Sequence, residues 1–464
     1  MKSSRHNFFT GLFAVSGALW LALLLLPVTP ATAATSELPN LGELATVNLE
    51  REKALGESVY NKLLARDLIE THPLVDRYIN DLGFRLLAGI DKRLRDYRFF
   101  IVRDDSVNAF ALPGGYIGVN RGLVREAHSQ HQLASVLAHE IAHVELMHGL
   151  DLMKKGSIAN SAVMLTVLAG LLLGGVDSNL GAAVVYGGVA GSQQAMVNFT
   201  RENEYEADRI GIELLQNAKF DANGMVEFFK IMGQLSGSSE LGNIEYLRTH
   251  PVSSNRVAEA MSRVRKTMVV DDQVDDFPLF KDFLQYSSND PLPIQGSPYL
   301  RALAYIQSGK YAQAEALLLE LYQQDSENLW YSIAFAENLE RLGRVPEAEQ
   351  VYRRLLDIFP GDYILSMRLL QLLKQVGQNQ TALVIARGLE TQFPQRQQIY
   401  FELSEIYRSL QRPALRLMAE AEYHRLNGNT KQAIRLYDEI LNSSGVDLAT
   451  ESRAREKRLL LLPK

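Results

Sequence analysis

Three glycines, Gly309, Gly343 and Gly377, recur every 34 residues, and an alanine follows five residues after each, at Ala314, Ala348 and Ala382. Pro360 and Pro394 stand seventeen residues after the second and third of these glycines. No other feature restricts the fold of this chain as much. The period accommodates two short helices and their turns, with glycine and alanine permitting close packing. One such unit cannot bury its apolar face alone, so copies must stack into an α-solenoid with a shared core. The phase slips at Gln411, where the next glycine is due. Glycine and alanine resume at Gly428 and Ala433, 51 residues past Gly377, or one and a half periods. Helix pairs are expected to continue there in altered register.

At 464 residues the chain is too long for one core. The Pro-, Ser- and Asp-rich stretch 276–298 reads as a linker between a domain over 35–275 and the repeats over 299–464. Residues 35–50 are polar and read as an exposed arm. Helical spacing starts at Arg51, with Leu55, Val59, Leu63 and Leu64, and recurs with Leu74, Tyr78, Leu82 and Leu86. "YRFFIVRDD" and "VNAFALPGGYIGVN" read as strands, with a hairpin turn at Gly114-Gly115. "SQHQLASVLAHEIAHVELMHG" is a helix with an apolar stripe, and Gly149 is its stop. The expected fold class is mostly α with a small β-sheet: an N-terminal α+β domain followed by an α-solenoid.

The chain opens as an export signal. Lys2 and Arg5 precede an apolar run, and Ala31-Thr32-Ala33 supplies a small-residue site, so a signal peptide over 1–34 is expected to be cleaved near Ala33 or Ala34. The alternative is an uncleaved membrane anchor. The chain has no cysteine, which excludes a lipidated-cysteine anchor, disulfides and thiolate metal ligands. A net charge of −6 gives no electrostatic case for nucleic acid. The apolar run 158–176 is short for a span and reads as a buried helix or lid, with peripheral membrane contact as the alternative.

Three of the nine histidines lie in "SVLAHEIAHVELMHG". His139 and His143 are one turn apart on a helix face, so both imidazoles can reach one ion, and Glu140 projects beside them as a base. Zinc suits such a site, accepting nitrogen and carboxylate ligands and making a bound water acidic. His148 fits poorly as the third ligand. It lies about 140° round the helix from His143, and Leu146 and Gly149 break the longer histidine pattern. It reads as a surface histidine or one in the layer behind the ligands. In "NFTRENEYEADRIGIELL", Glu204 and Asp208 again share a helix face. Glu204 can complete a His-His-Glu set and Asp208 can fix an imidazole. By composition alone the same stretch reads as a solvated helix start, with Glu202 and Glu206 facing water.

The histidine motif, "EYEADRIG" downstream and "NAFALPGGYIGVNRGL" upstream resemble the Ste24/Oma1/HtpX group of zinc metallopeptidases. The 34-residue repeat resembles the tetratricopeptide repeat, and its combination with an export signal is similar to the periplasmic BepA-like branch. The resemblance implies a zincin-like domain holding one Zn2+ per chain. His139, His143 and Glu204 would be its ligands, Glu140 the base and Asp208 the acid behind the ligands. It implies an edge strand to which substrate adds, with Asn108 and Ala109 nearest the site. "THPVSSNRVAEA" matches a His-Pro…Arg segment, making His250 a candidate fourth ligand and switch. Alternatively, His250 is a helix-start histidine packed by Pro251, or one that steadies the transition state.

The implied function is a periplasmic zinc endopeptidase of a Gram-negative bacterium, acting in quality control of outer-membrane β-barrel proteins. Its implied partners are misfolded or unassembled outer-membrane proteins and, through the repeats, the β-barrel assembly machinery. Two alternatives stay open: a repeat-based chaperone with a largely latent site, and a peptidase anchored in the inner membrane.

Overall fold

A computed structural model describes residues 41–90, 95–148, 193–237, 245–264, 275–288 and 290–462. The expected signal segment and the apolar run 158–176 lie outside these residues. Helix α1 spans Leu41–Ala65, so it begins at Leu41 and not at Arg51. The expected arm is partly helix, because a nucleated helix extends through polar residues at one hydrogen bond gained per residue fixed. Helix α2 (Pro73–Leu87) packs on a three-stranded sheet of β1 (Arg98–Val102), β2 (Ala109–Leu112) and β3 (Tyr116–Asn120). The strand order is β1-β3-β2, with β3 parallel to β1 and antiparallel to β2. The expected hairpin therefore forms, turning at Gly114 and Gly115 with φ of 78° and 87°. The order leaves β2 at one edge of the sheet.

Helix α3 (Arg121–Glu126) leads into α4 (Gln130–Glu145), whose first turn is capped by Ser129 accepting from the Gln132 N–H. Both β2 and α5 (Gln193–Asn217) pack against α4. Helix α6 (Asn223–Gly237), the short α7 (Glu245–Thr249) and α8 (Ser254–Arg263) complete the described part of this half. Among the described residues no helix is long and apolar enough to cross a membrane.

The stretch expected to be a linker contains α9 (Phe277–Ser287), whose Phe277, Leu279, Phe280, Phe283 and Leu284 are buried. Pro278 starts this helix, Asp282 and Ser287 lie within it, and the Pro-, Ser- and Asp-rich residues after it obscure its apolar stripe. Phe280 stacks on Tyr78 of α2 at 4.2 Å, and Phe283 lies 4.3 Å from His72 and 5.6 Å from Trp330 between ring centroids. One apolar core thus runs from Leu74 through α9 into the repeats as far as Ala419.

The repeats are paired helices: α10 (Pro298–Gln307) with α11 (Tyr311–Gln324), α12 (Leu329–Arg341) with α13 (Val345–Ile358), α14 (Tyr363–Gln375) with α15 (Asn379–Gln392), and α16 (Gln397–Ser409) with α17 (Pro413–Leu426). Helices α18 (Thr430–Leu441) and α19 (Leu448–Leu460) follow. Gly309, Gly343 and Gly377 turn the chain within the first three pairs at φ of 71°, 76° and 77°. Gln411 does the same in the fourth at φ 53°. The repeat therefore persists where its sequence signature lapses, because packing of the flanking helices holds a non-glycine residue in the left-handed region. Gly428 restores the same turn between α17 and α18.

Polar contacts join the two halves around α2. Arg77 pairs with Asp362 at the start of α14. Arg368 of α14 donates from Nη2 to the His72 Nε2 (2.8 Å) and lies 2.8 Å from Glu337. Burial first, and the Arg368 charge second, lower the His72 pKa to about 3. Neutral His72 is therefore part of the docked form. Its contribution is complete above pH 6.5 and is lost as the pH falls from there towards 3, reaching about 2 kcal/mol by pH 5. Denaturant unfolding of the zinc-loaded chain is expected to show this loss, and His72→Asn to flatten that part of the profile. Gln411→Gly is expected to stabilise the repeats by about 0.5–1 kcal/mol, read as a higher unfolding midpoint.

Candidate metal centre

His139 and His143 project from α4, Glu204 from α5, and His250 from the end of α7, and one ligand atom of each lies within 4.8 Å of those of the others. The His139 Nε2 is 3.0 Å from the His143 Nε2, 3.2 Å from the His250 Nδ1 and 3.4 Å from Glu204 Oε2. Glu204 Oε1 is 3.3 Å from the His143 Nε2 and 3.1 Å from the His250 Nδ1. Four ligands at zinc distances in a tetrahedron stand about 3.3 Å apart. The separations fit that ion, and the two Nε2 lone pairs facing each other would otherwise repel.

Charge gives the same answer. Glu140, Glu204 and Asp208 are 1%, 3% and 5% exposed, and Arg256, also buried, is the guanidinium among them. The three carboxyl groups outnumber this one guanidinium in a medium where unpaired charge is costly, so a proton on an imidazole or a metal ion must offset the excess. A divalent cation removes it. Burial opposes a charge on His139, yet hydrogen bonds with Asp208 and Glu204 raise its pKa to about 10. Burial dominates at His143 and lowers it to about 3. Glu204, also against its burial, is held ionised by His250, His139 and His143.

A layer of residues behind the ligands aims them. The His139 Nδ1 lies 3.0 Å from Asp208 Oδ1. Arg256 of α8 forks onto both Asp208 oxygens at 2.7 Å, lies 2.9 Å from Glu204 Oε2 and donates to the Pro251 carbonyl at 2.7 Å. One guanidinium thus spans a ligand, the acid behind another ligand and the residue after His250. Glu140 Oε1 is buried without a hydrogen-bond partner among the described residues, 3.5 Å from the His250 Nε2. Asn108 and Ala109 are buried on and beside β2, against which α4 packs.

The structure brings His139, His143, Glu204 and His250 into one cluster, with Glu140 and Asp208 against it. His148 is outside the cluster but buried behind it, its Nδ1 3.0 Å from the His143 Nδ1. The offset of about 140° between His148 and His143 holds only for a continuing helix. Instead α4 ends at Glu145, and Met147 turns back at φ 57°. The solvated reading of 202–208 fails for Glu204 and Asp208, which face α4. Arg256 is the arginine of the His-Pro…Arg segment, which the sequence leaves without a role, although carboxylates gathered at one site call for a buried cation.

Metal analysis after dialysis is expected to find one zinc per chain in wild type and in Glu140→Gln, and none retained by His139→Ala or Glu204→Ala. Arg256→Met removes the only guanidinium that the described residues place on Asp208 and Glu204. It is expected to destabilise the zinc-free chain by about 3–5 kcal/mol, measured by denaturant unfolding.

Comparison with known proteins agrees with this geometry. Residues 73–264 match peptidase family M48, and residues 305–373 match a tetratricopeptide repeat. The chain is 31% identical over 453 residues to the beta-barrel assembly-enhancing protease of Escherichia coli (strain K12), covering 92% of this chain and 91% of that one. It is 32% identical over 314 residues to the protein of that name from Yersinia pestis, covering 63% of this chain and 64% of that one. With the mitochondrial metalloendopeptidase OMA1 of Schizosaccharomyces pombe it shares 29% identity over 216 residues, covering 46% of this chain and 60% of that one. Likeness along nearly the whole of the first relative, joined to the buried His-His-Glu cluster, makes this chain a member of peptidase family M48, a zinc metalloendopeptidase with tetratricopeptide repeats after its catalytic domain.

Proposed function

We propose that this peptidase works in the periplasm of a Gram-negative bacterium on outer-membrane β-barrel proteins that have failed to assemble, and that the repeats bring it to them or to their assembly machinery. The name of the Escherichia coli relative supports the substrate class. The single observation that carries the reading is the edge of β2 beside the metal centre. The Asn120 N–H donates to the Asn108 carbonyl at 2.9 Å. Because bonding alternates along an antiparallel pair, Ala109 and Ala111 turn their N–H and C=O groups away from β3. An extended chain can pair there through its backbone alone. Unassembled barrel strands are extended, varied in sequence and rich in unpaired backbone, so they suit a site that reads backbone.

His139, His143 and Glu204 would hold the zinc, which when bound would supply a Lewis acid for the scissile carbonyl and for water. Glu140 is the carboxylate placed to take a proton from the attacking water and to return it to the leaving amine. Asp208, 3.0 Å from the His139 Nδ1, would steady that ring through its charge, while Arg256 fixes Asp208. His250 caps the centre at rest and moves aside for substrate. Support for this gate comes from the next outward carbonyl of the edge, Val107, which accepts from the Tyr246 N–H at 3.1 Å. Tyr246 belongs to the helical turn that carries His250, so a substrate strand reaching Val107 competes with the seat of the gate.

In cells, Glu140→Gln is expected to abolish degradation of misassembled outer-membrane proteins and to lower peptide hydrolysis by at least about 10²-fold. Undiminished degradation by that variant would sink the catalytic reading in favour of a scaffold. Ala111→Pro removes one outward donor from an edge strand that otherwise tolerates proline. Steady-state kinetics on extended peptides are expected to show a loss of about 3–10-fold in kcat/KM, carried by KM.

A further inference from the structure

Two histidine ligands share one helix, yet the groups behind them differ in kind. Behind His139 stands the buried carboxylate Asp208, clamped by Arg256. Behind His143 stands a second imidazole. His148 is 6% exposed, its Nδ1 is 3.0 Å from the His143 Nδ1, and its Nε2 is 3.6 Å from Glu206 Oε2. Glu206 is half exposed. The two rings stand at 70° with centroids 5.1 Å apart, an edge contact that aims one ring's nitrogen at the other and not a stack.

We infer that His148 and Glu206 form a positioning relay for His143, fixing its orientation and tautomer and so setting the affinity of the centre for its metal. The inference rests on the metal reading above. The His143 Nε2 faces the cluster, so the ring's proton sits on Nδ1 and is donated to the His148 Nδ1. His148 must then carry its own proton on Nε2, which points to the Glu206 carboxylate. The order is carboxylate, imidazole, imidazole, metal: the carboxylate–histidine arrangement common behind metal ligands, lengthened by one ring. A backbone feature builds it. Leu146 caps α4 and Met147 takes φ 57°, folding residue 148 back under residue 143. A continuing helix would place the two on different faces. The relay also gives the centre an unequal pair of supports. His139 is held from inside the core, whereas the support of His143 ends at a half-exposed side chain.

Zinc dissociation constants, measured on the full chain by competition with a chromogenic chelator, test this, with unfolding of the zinc-free forms measured alongside. His148→Ala is expected to bind zinc about 10–100-fold more weakly than wild type. His148→Asn places an amide oxygen where Nδ1 stood and is expected to recover most of that affinity, with zinc-free stability matching that of His148→Ala. Glu206→Ala is expected to fall between wild type and His148→Ala. An unchanged constant in His148→Ala, or no rescue by His148→Asn, overturns the relay and leaves the metal centre standing. Failure of wild type to take up zinc overturns both.

Discussion

Three carboxyl groups and the imidazoles of His139, His143 and His250 are packed between α4, α5 and α8, largely withdrawn from solvent, with Arg256 the guanidinium among them. The surrounding structure is arranged to make that burial tolerable. Helices α5 and α8 must lie against α4 for Arg256 to reach Asp208 and Glu204 together, and α7 must end at His250 for its ring to enter the same space. An apolar site with one excess charge can shift a pKa and neutralise itself. A site whose carboxyl groups outnumber its guanidinium, held by helices that cannot separate without opening the core, is well served by a divalent cation. Metal binding and domain packing are in this sense one equilibrium.

The second organising contact is α9. It shares aromatic surface with α2 on one side and with Trp330 of the repeats on the other, so the peptidase half and the solenoid have a common core. A flexible linker would leave the two halves independent, with orientation set only by chance encounters. A packed helix fixes the repeats relative to α2, and the pairs made by Arg77 with Asp362 and Arg368 with His72 refine that docking. Whatever the repeats bind is consequently held at a defined position relative to the β2 edge.

Much of this was legible from local pattern. The repeat period, the hairpin turn and the two histidines one turn apart each follow from rules that operate within a few residues, and all three appear in the fold. The errors fell where local composition and tertiary packing disagree. The polar start of α1 and the apolar stripe of α9 were hidden by their neighbours, and Gln411 carries a glycine's conformation because the helices around it leave no other. Glu204 and Glu206 sit two residues apart in one acidic stretch; helical spacing with Asp208 and the family resemblance point to Glu204, and the face of α5 that meets α4 buries it while Glu206 stays half exposed.

The sequence by itself determined that this chain builds a helical repeat and carries the donor atoms of a zinc peptidase, because helical periodicity and side-chain chemistry are local properties. Tertiary structure decided which distant groups share the centre. Sixty-odd residues separate Glu204 from the histidine motif, and His250 and Arg256 lie farther still. Spacing cannot predict a meeting of four helices; it set His148 outside the ligands, but only the left-handed residue at Met147 shows that the ring folds back behind His143. Electrostatics explains why the meeting is stable: charges gathered in low dielectric must be balanced within reach, so the fold that buries Glu204 and Asp208 must also bring Arg256 and provide for a metal.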